Sequence, residues 1–253
     1  DGRLYVADTG NHAIRVIDLE TAEVMTIAGT GKAGLIEKGG ADARKVDLRS
    51  PWDVALDGDN LFVAMAGDHQ IWALDLVSGH IGVYAGSGHE GVRDGALMDA
   101  EFSQPSGLSL AGDGLYVADA ESSAVRRIHL REQRVETLVG TGLFDFGDRD
   151  GAFAQAQLQH PLGVAVLADG DVLVADTYNH KVKRLRIQAR TVETLVGTGT
   201  PGDAQGPGTV AALNEPGGLA VLGNSVLIVD TNNGRVVRFS LQGAVAREWM
   251  VRE

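Results

Sequence analysis

The chain has 253 residues, of which 44% are hydrophobic, carries a formal net charge of −12 and contains no cysteine. The hydrophobic content excludes a disordered chain, and the lack of cysteine excludes disulfides and thiolate metal sites. The acidity makes the chain as a whole a poor partner for nucleic acid. No apolar run approaches the ~20 residues of a membrane helix, so we expect a soluble protein and no membrane partner, while the compartment stays open.

One phrase recurs along the chain. LYVADTGNHAIRVID returns three times in recognisable form and once in degraded form, with copies that begin at Leu4, Leu61, Leu115, Val172 and Val226. The fifth residue of each copy is Asp8, Met65, Asp119, Asp176 and Asp230, at successive spacings of 57, 54, 57 and 54. Recurrence at this period indicates a repeated structural unit.

Each unit contains four short apolar runs. In the unit that starts at His160 they are 164–167, 172–175, 182–187 and 192–196. Runs of 4–6 residues that are rich in Val, Leu and Ile and bounded by Gly, Asp and Asn are typical of strands joined by tight turns. Four-stranded antiparallel units repeated around an axis form a β-propeller, so we predict an all-β propeller.

The repeated units divide the chain into five predicted blades. Their approximate bounds are 1–49, 50–103, 104–159, 160–214 and 215–253. The first blade lacks its first strand, because the chain opens inside a repeat. We therefore expect this chain to be a piece of a longer protein.

Polar residues end the second strand of each blade. We expect the carboxylates to accept hydrogen bonds from the backbone of the following turn, a structural role for Asp8, Asp119, Asp176 and Asp230. The left-handed backbone of such turns suits Gly and Asn, which here are Gly10, Asn11, Asn179, Asn232 and Asn233. In the second blade Met65 replaces the aspartate, and Asp68 is the expected substitute.

The motif ADTxNHxV, together with PxGLAV and GTG, resembles the NHL-repeat propeller family over essentially the whole chain. Irregular stretches such as AMAGDHQIWAL (64–74) and LFDFGDRDG (143–151) are similar to a branch of that family with an additional domain. The resemblance implies a six-bladed ring that follows a thioredoxin-like domain. Any redox motif would then lie outside this chain, and no residue here inherits it.

The ends of strands two and four emerge on the same side of an antiparallel blade, so the repeated turns and the long connections share one face, called the loop face below. Long loops on a rigid scaffold are where binding usually occurs. We expect a non-catalytic scaffold that binds a protein partner or the adjacent thioredoxin-like domain, without a cofactor, through His12, His69, His89, Phe144, Phe146 and His180. The alternative for the DGxxxxAxL segments is that they seal the gaps between blades with Ala100, Phe102, Ala154, Leu158 and Leu213.

Two other functions remain open. His12, His69 and His180 hold equivalent positions and raise the possibility of a hydrolase or lyase with an axial metal, but turns of second strands stand ~10 Å from the axis, too far to share one ion; we expect no metal. A candidate basic rim patch, which would suit RNA, consists of Arg126, Arg127, Lys181, Lys183 and Arg184. Aromatic groups for base stacking are scarce, so we expect a solvated edge instead, and nucleic acid is not the favoured partner.

Overall fold

The computed structural model describes residues 2–34 and 40–249. Within these residues the chain is all-β, with five separate antiparallel sheets and no α-helix. Contacts link the innermost strands of successive sheets, so the sheets are arranged around an axis as the blades of a propeller. The predicted fold class is confirmed.

The strands follow the repeat described above. Blades 1 and 2 contain β1 (Arg3–Asp8), β2 (Ala13–Asp18), β3 (Val24–Ala28), β4 (Ala41–Asp42), β5 (Pro51–Asp57), β6 (Asn60–Met65), β7 (Gln70–Asp75) and β8 (His80–Ala85). Blade 3 contains β9 (Gly95–Ala96), β10 (Pro105–Ala111), β11 (Gly114–Asp119), β12 (Ala124–His129) and β13 (Arg134–Val139). Blades 4 and 5 contain β14 (Gly151–Ala152), β15 (Gly163–Val166), β16 (Val172–Asp176), β17 (Lys181–Arg186), β18 (Thr191–Val196), β19 (Gly206–Pro207), β20 (Pro216–Leu222), β21 (Ser225–Asp230), β22 (Arg235–Ser240) and β23 (Val245–Glu248).

Four blades contain a fifth, two-residue strand at the outer edge, which the repeat pattern did not predict. The long connections supply it: β4, β9, β14 and β19 pair with β8, β13, β18 and β23. Each connection therefore lines the outer edge of the blade it leads into, and then runs to the axis to begin that blade.

The core lies between the blades, in four clusters of buried side chains. The connections contribute to it as the sealing alternative predicts, because Ala100, Phe102, Leu158 and Leu213 are each 0% exposed. Ala154 was wrongly assigned to this set, since it is exposed. Its neighbours Phe153 and Ala156 point inward instead, because a short turn follows β14.

The two end blades have apolar flanks in contact with solvent. Leu4 in blade 1 is 49% exposed and Val229 in blade 5 is 44% exposed. The residues at the same places in blade 3, Leu115 and Ala118, are 0% exposed because neighbouring blades cover them. A ring with a further blade remains a prediction from the family resemblance.

Candidate functional site

The repeated turn on the loop face has one backbone conformation in four blades. After the second strand, three residues form a 3₁₀ turn, and the next residue takes the left-handed conformation: His12, His69, His180 or Gly234, with φ between 48° and 61°. None of the glycines and asparagines expected at this position occupies it, and the glycine found there in blade 5 is Gly234. The asparagines lie within the 3₁₀ turn, where their amides face the aspartate.

The aspartates hold a different backbone segment from the one predicted. In the turns that follow Asp8, Asp176 and Asp230, no backbone N–H bonds to the carboxylate. In blades 3 to 5 it accepts instead from the loop entering the same blade: Ser103 N–H to Asp119, Gln159 N–H to Asp176 and Asn214 N–H to Asp230, at 2.7, 2.6 and 2.6 Å. In blades 3 to 5 the carboxylates therefore bind the backbone of the entering loop, and they bind the turn only through the side chains of Ser122, Asn179 and Asn233.

The same carboxylates pair with basic residues of the third strand. Asp119 lies 3.3 Å from Arg126, and Asp176 lies 3.5 Å from Lys183; all four side chains are 0% exposed. Burial raises the pKa of Asp176 to about 6 despite the nearby ammonium, because removing a carboxylate from water disfavours its charged form.

The structure distributes the candidate basic rim patch between interior and edge. Arg126 and Lys183 are buried, so these two do not reach solvent. Lys181 pairs with Asp148 at 2.5 Å and Arg184 with Asp171 at 2.7 Å. Arg127 lies over the Tyr116 ring at 5.5 Å. Asp148 of a connection and Asp171 of the β15–β16 turn therefore neutralise part of the positive charge that the sequence places in this region.

Blade 2 lacks this carboxylate network. Met65 and Trp72 occupy the places of the acid and the base, and both are buried. The indole N–H of Trp72 donates to Gln70 at 3.1 Å, and the Gln70 amide donates to the Gly86 carbonyl at 2.9 Å. Asp68 does not replace the missing carboxylate, because it faces Arg49 at 3.6 Å.

The repeated histidines connect adjacent blades. Their Nδ1 atoms accept a backbone N–H from the residue before the proline that begins the next blade: Ser50 N–H to His12, Gln104 N–H to His69, and Glu215 N–H to His180, at 3.1–3.2 Å. In blade 3 the Ser123 hydroxyl accepts the same bond from His160 N–H at 3.2 Å. The sequence did not reveal this role, since the two partners lie 35–38 residues apart.

These histidines stand at separate blade junctions and do not meet. Among the described residues, no three His, Asp or Glu side chains come together in a way that could hold a metal ion. Near the axis, Asp53 accepts the N–H groups of Leu108 and Val54, each at 2.8 Å. Burial raises the pKa of Asp53 to about 6.

Exposed aromatic side chains mark the connection between blades 3 and 4. Phe144 is 86% exposed and Phe146 is 54% exposed. The loop beneath them is anchored, because Gly147 N–H donates to Leu158 O at 3.0 Å and the Asn179 amide donates to Gly147 O at 2.7 Å. His89, on the connection between blades 2 and 3, is also exposed.

The five similar sheets, with a turn motif repeated at each blade, define a β-propeller. The sequence model of the NHL repeat matches residues 158–185 and 213–239, which fall in blades 4 and 5. The chain is therefore a β-propeller of the NHL-repeat family, as the motifs predicted.

The relatives place this propeller within longer proteins. The chain is 43% identical to human NHL repeat-containing protein 2 over 94% of its own length and 38% of that protein. It is 42% identical to the Arabidopsis thaliana protein SUPPRESSOR OF QUENCHING 1, chloroplastic, over 93% of its length and 23% of that protein. The chain thus spans less than two fifths of these curated relatives and corresponds to their propeller segment.

Solved structures share the fold at low identity. A propeller in a nidogen/laminin complex has a TM-score of 0.68 and 17% identity, with 99% of this chain and 75% of that chain covered. A streptogramin B lyase has a TM-score of 0.59 and 10% identity, with 100% and 66% covered. Neither likeness carries more than the fold. Within the described residues, no helix has the length and apolar content needed to cross a membrane.

Proposed function

We propose that this propeller is a non-catalytic scaffold whose loop face binds a protein: an adjacent thioredoxin-like domain of the longer parent protein or a separate partner. The observation that carries the proposal is the pair of exposed phenylalanines, Phe144 and Phe146, on an anchored loop. Aromatic side chains are enriched in protein interfaces, where they bury a large area at little cost in conformational entropy.

The histidines of the turns support this proposal indirectly. His12, His69 and His180 are half-buried and hold the next blade through Nδ1. They thereby keep the loop face rigid, and a rigid surface loses little conformational entropy on binding. His89 is exposed and remains a candidate for direct contact.

The test measures binding of the recombinant thioredoxin-like domain of the parent protein, and of partners isolated from the source cells, to immobilised wild-type chain. Phe144→Ser with Phe146→Ser should weaken binding by at least about tenfold, because central aromatic contacts dominate interface energies. Val77→Ser is the matched control, since Val77 is 78% exposed in the turn between β7 and β8, on the opposite face. Equal binding by the double variant and wild type would refute the proposal.

A further inference from the structure

Blade 2 differs from blades 3, 4 and 5 at one position of its third strand. In blade 2 this position holds Ala73, which pairs with Phe62 on the second strand and with Gly82 on the fourth strand. The residues in the same register of the other three blades are Arg127, Arg184 and Arg238. Three blades therefore supply an arginine where blade 2 supplies a methyl group.

The three arginines occupy the outer part of the blade. Arg127 lies over Tyr116, and Arg184 pairs with Asp169 and Asp171 at 2.5 and 2.7 Å. The Arg238 Nε atom donates to the Ser225 hydroxyl at 3.0 Å. In blades 3, 4 and 5 the guanidinium at this position therefore contacts an aromatic ring, two carboxylates and a hydroxyl group, respectively.

In blade 2 the residue opposite this position on the fourth strand is small as well. Glu136 and Glu193 lie opposite the arginines of blades 3 and 4, whereas Gly82 lies opposite Ala73. The two small residues form the floor of a groove of about 730 Å³, with walls that include Asn60, Tyr84, His89 and Met98. Met98 is 55% exposed, so the groove is open to solvent.

The groove contains one carboxylate and one large aromatic ring. Asp75 and Tyr84 line it together with His80 and His89, and none of its described lining residues is a lysine or an arginine. Burial raises the pKa of Tyr84, and the nearby carboxylates of Asp113 and Asp57 raise it further. An aromatic ring close to carboxylates is the environment that a planar guanidinium prefers, because it stacks on rings and donates to acids simultaneously.

The groove continues to the loop face. His89, Gln70 and Ser87 line both this groove and an adjoining cavity of about 390 Å³ that also includes His69 and Trp72. A segment bound to the loop face could therefore extend a side chain into the groove from its upper end.

We infer that the groove of blade 2 binds an arginine side chain of the protein recognised by the loop face, in the place that the chain's own arginines fill in blades 3 to 5. The inference rests on the proposed function for the protein nature of the partner. The choice of an arginine rests on Ala73, which stands in blade 2 where blades 3 to 5 have an arginine, and on Asp75 and Tyr84 in the lining.

The test titrates N-acetyl-arginine amide into the isotope-labelled 253-residue chain and follows backbone amide signals by NMR. Saturable shifts are expected at Ala73, Gly82 and Tyr84. N-acetyl-citrulline amide has the same shape without the charge and should bind about tenfold more weakly.

Ala73→Arg supplies the variant that separates binding from folding. It places the chain's own guanidinium in the groove, as in three other blades, so the variant should fold and lose the arginine-induced shifts. Ala168→Arg adds the same charge at an exposed site in blade 4 and should leave the shifts unchanged. Arginine shifts that map elsewhere, that citrulline reproduces, or that persist in Ala73→Arg would overturn the inference.

The partner assay of the preceding subsection distinguishes this inference from the proposed function. If Ala73→Arg weakens partner binding, both stand. If Ala73→Arg binds the partner like wild type while Phe144→Ser with Phe146→Ser does not, the loop face stands and the arginine inference fails.

Discussion

Single buried carboxylates hold the loops that enter blades 3 to 5. Asp119, Asp176 and Asp230 are each 0% exposed, and each accepts a backbone N–H from that loop at 2.6–2.7 Å. Their partners could not be read from the motif, because Ser103, for example, precedes Asp119 by 16 residues along the chain. The repeat shows which positions recur. A contact between a blade and its entering loop depends on the three-dimensional fold, which the repeat does not show.

The histidine bond between blades gives the first prediction. His180→Asn keeps a residue that tolerates the left-handed conformation but is too short to reach Glu215 N–H. We expect a loss of about 1 to 3 kcal/mol in the free energy of unfolding, because a partly buried donor loses its acceptor. Urea denaturation measures it. His89→Asn, at an exposed site, should change stability by less than about 0.5 kcal/mol, and equal losses for both variants would argue against the bond.

Asp53 predicts a pH dependence of stability. Its folded-state pKa of about 6 lies above the ordinary 3.8, so the folded chain binds this proton more tightly than the unfolded chain does. The resulting stabilisation is complete below pH ~4 and is lost as the pH rises through ~6. Between about pH 5 and pH 7.5, the wild type should therefore lose about 1 to 3 kcal/mol more than Asp53→Gly. Parallel pH profiles for the two proteins would contradict the assignment.

At the level of strands, the apolar runs correctly predicted four strands in each of blades 2 to 5 and three in blade 1. The fifth, two-residue strand escaped detection because a segment such as Gly95–Ala96 has no apolar periodicity. Its position depends on pairing with β13, a contact between chain segments about 40 residues apart. The groove of blade 2 was not predicted for a similar reason, since it arises from the small size of Ala73 and Gly82.

Close approach of the innermost strands gives a prediction at this scale. A Cβ atom on Gly107 would stand 2.5 Å from the carbonyl oxygen of Leu162 in the next blade. Gly107→Ala should therefore destabilise the chain by about 1 to 3 kcal/mol through a forced shift of strand β10. Thermal unfolding followed by circular dichroism measures the change. Gly142→Ala, with no atom within 4 Å of its added methyl group, is the control; the same melting temperature for both variants would contradict this packing.

For the whole molecule, the five blades followed from the repeat, and the family followed from the resemblance of its motifs. The exposed end flanks agree with the same expectation, because a ring that lacks a blade leaves the outer faces of its two end blades uncovered. Leu4 and Val229 face solvent where the equivalent residues of blade 3 are covered. The six-bladed ring expected from the resemblance would cover them with a further blade.

The exposed flanks predict self-association of the 253-residue chain. Contiguous apolar surface on an end blade favours contact with a second copy. Sedimentation velocity should show a concentration-dependent shift to larger species, and Leu4→Ser with Val229→Ser should reduce it. A monomer at all concentrations up to ~100 μM would argue that the flanks do not attract each other.

The central functional claim is that the loop face binds a protein. Mapping the bound surface tests this claim most directly. Amide signals of the labelled chain would be followed while a recombinant thioredoxin-like domain, the proposed partner, is added. We predict shifts in residues 87–92 and 141–149 on the loop face. Shifts confined to the opposite face, at the turns 76–79 and 131–133, or saturation binding without any change on the loop face, would contradict it.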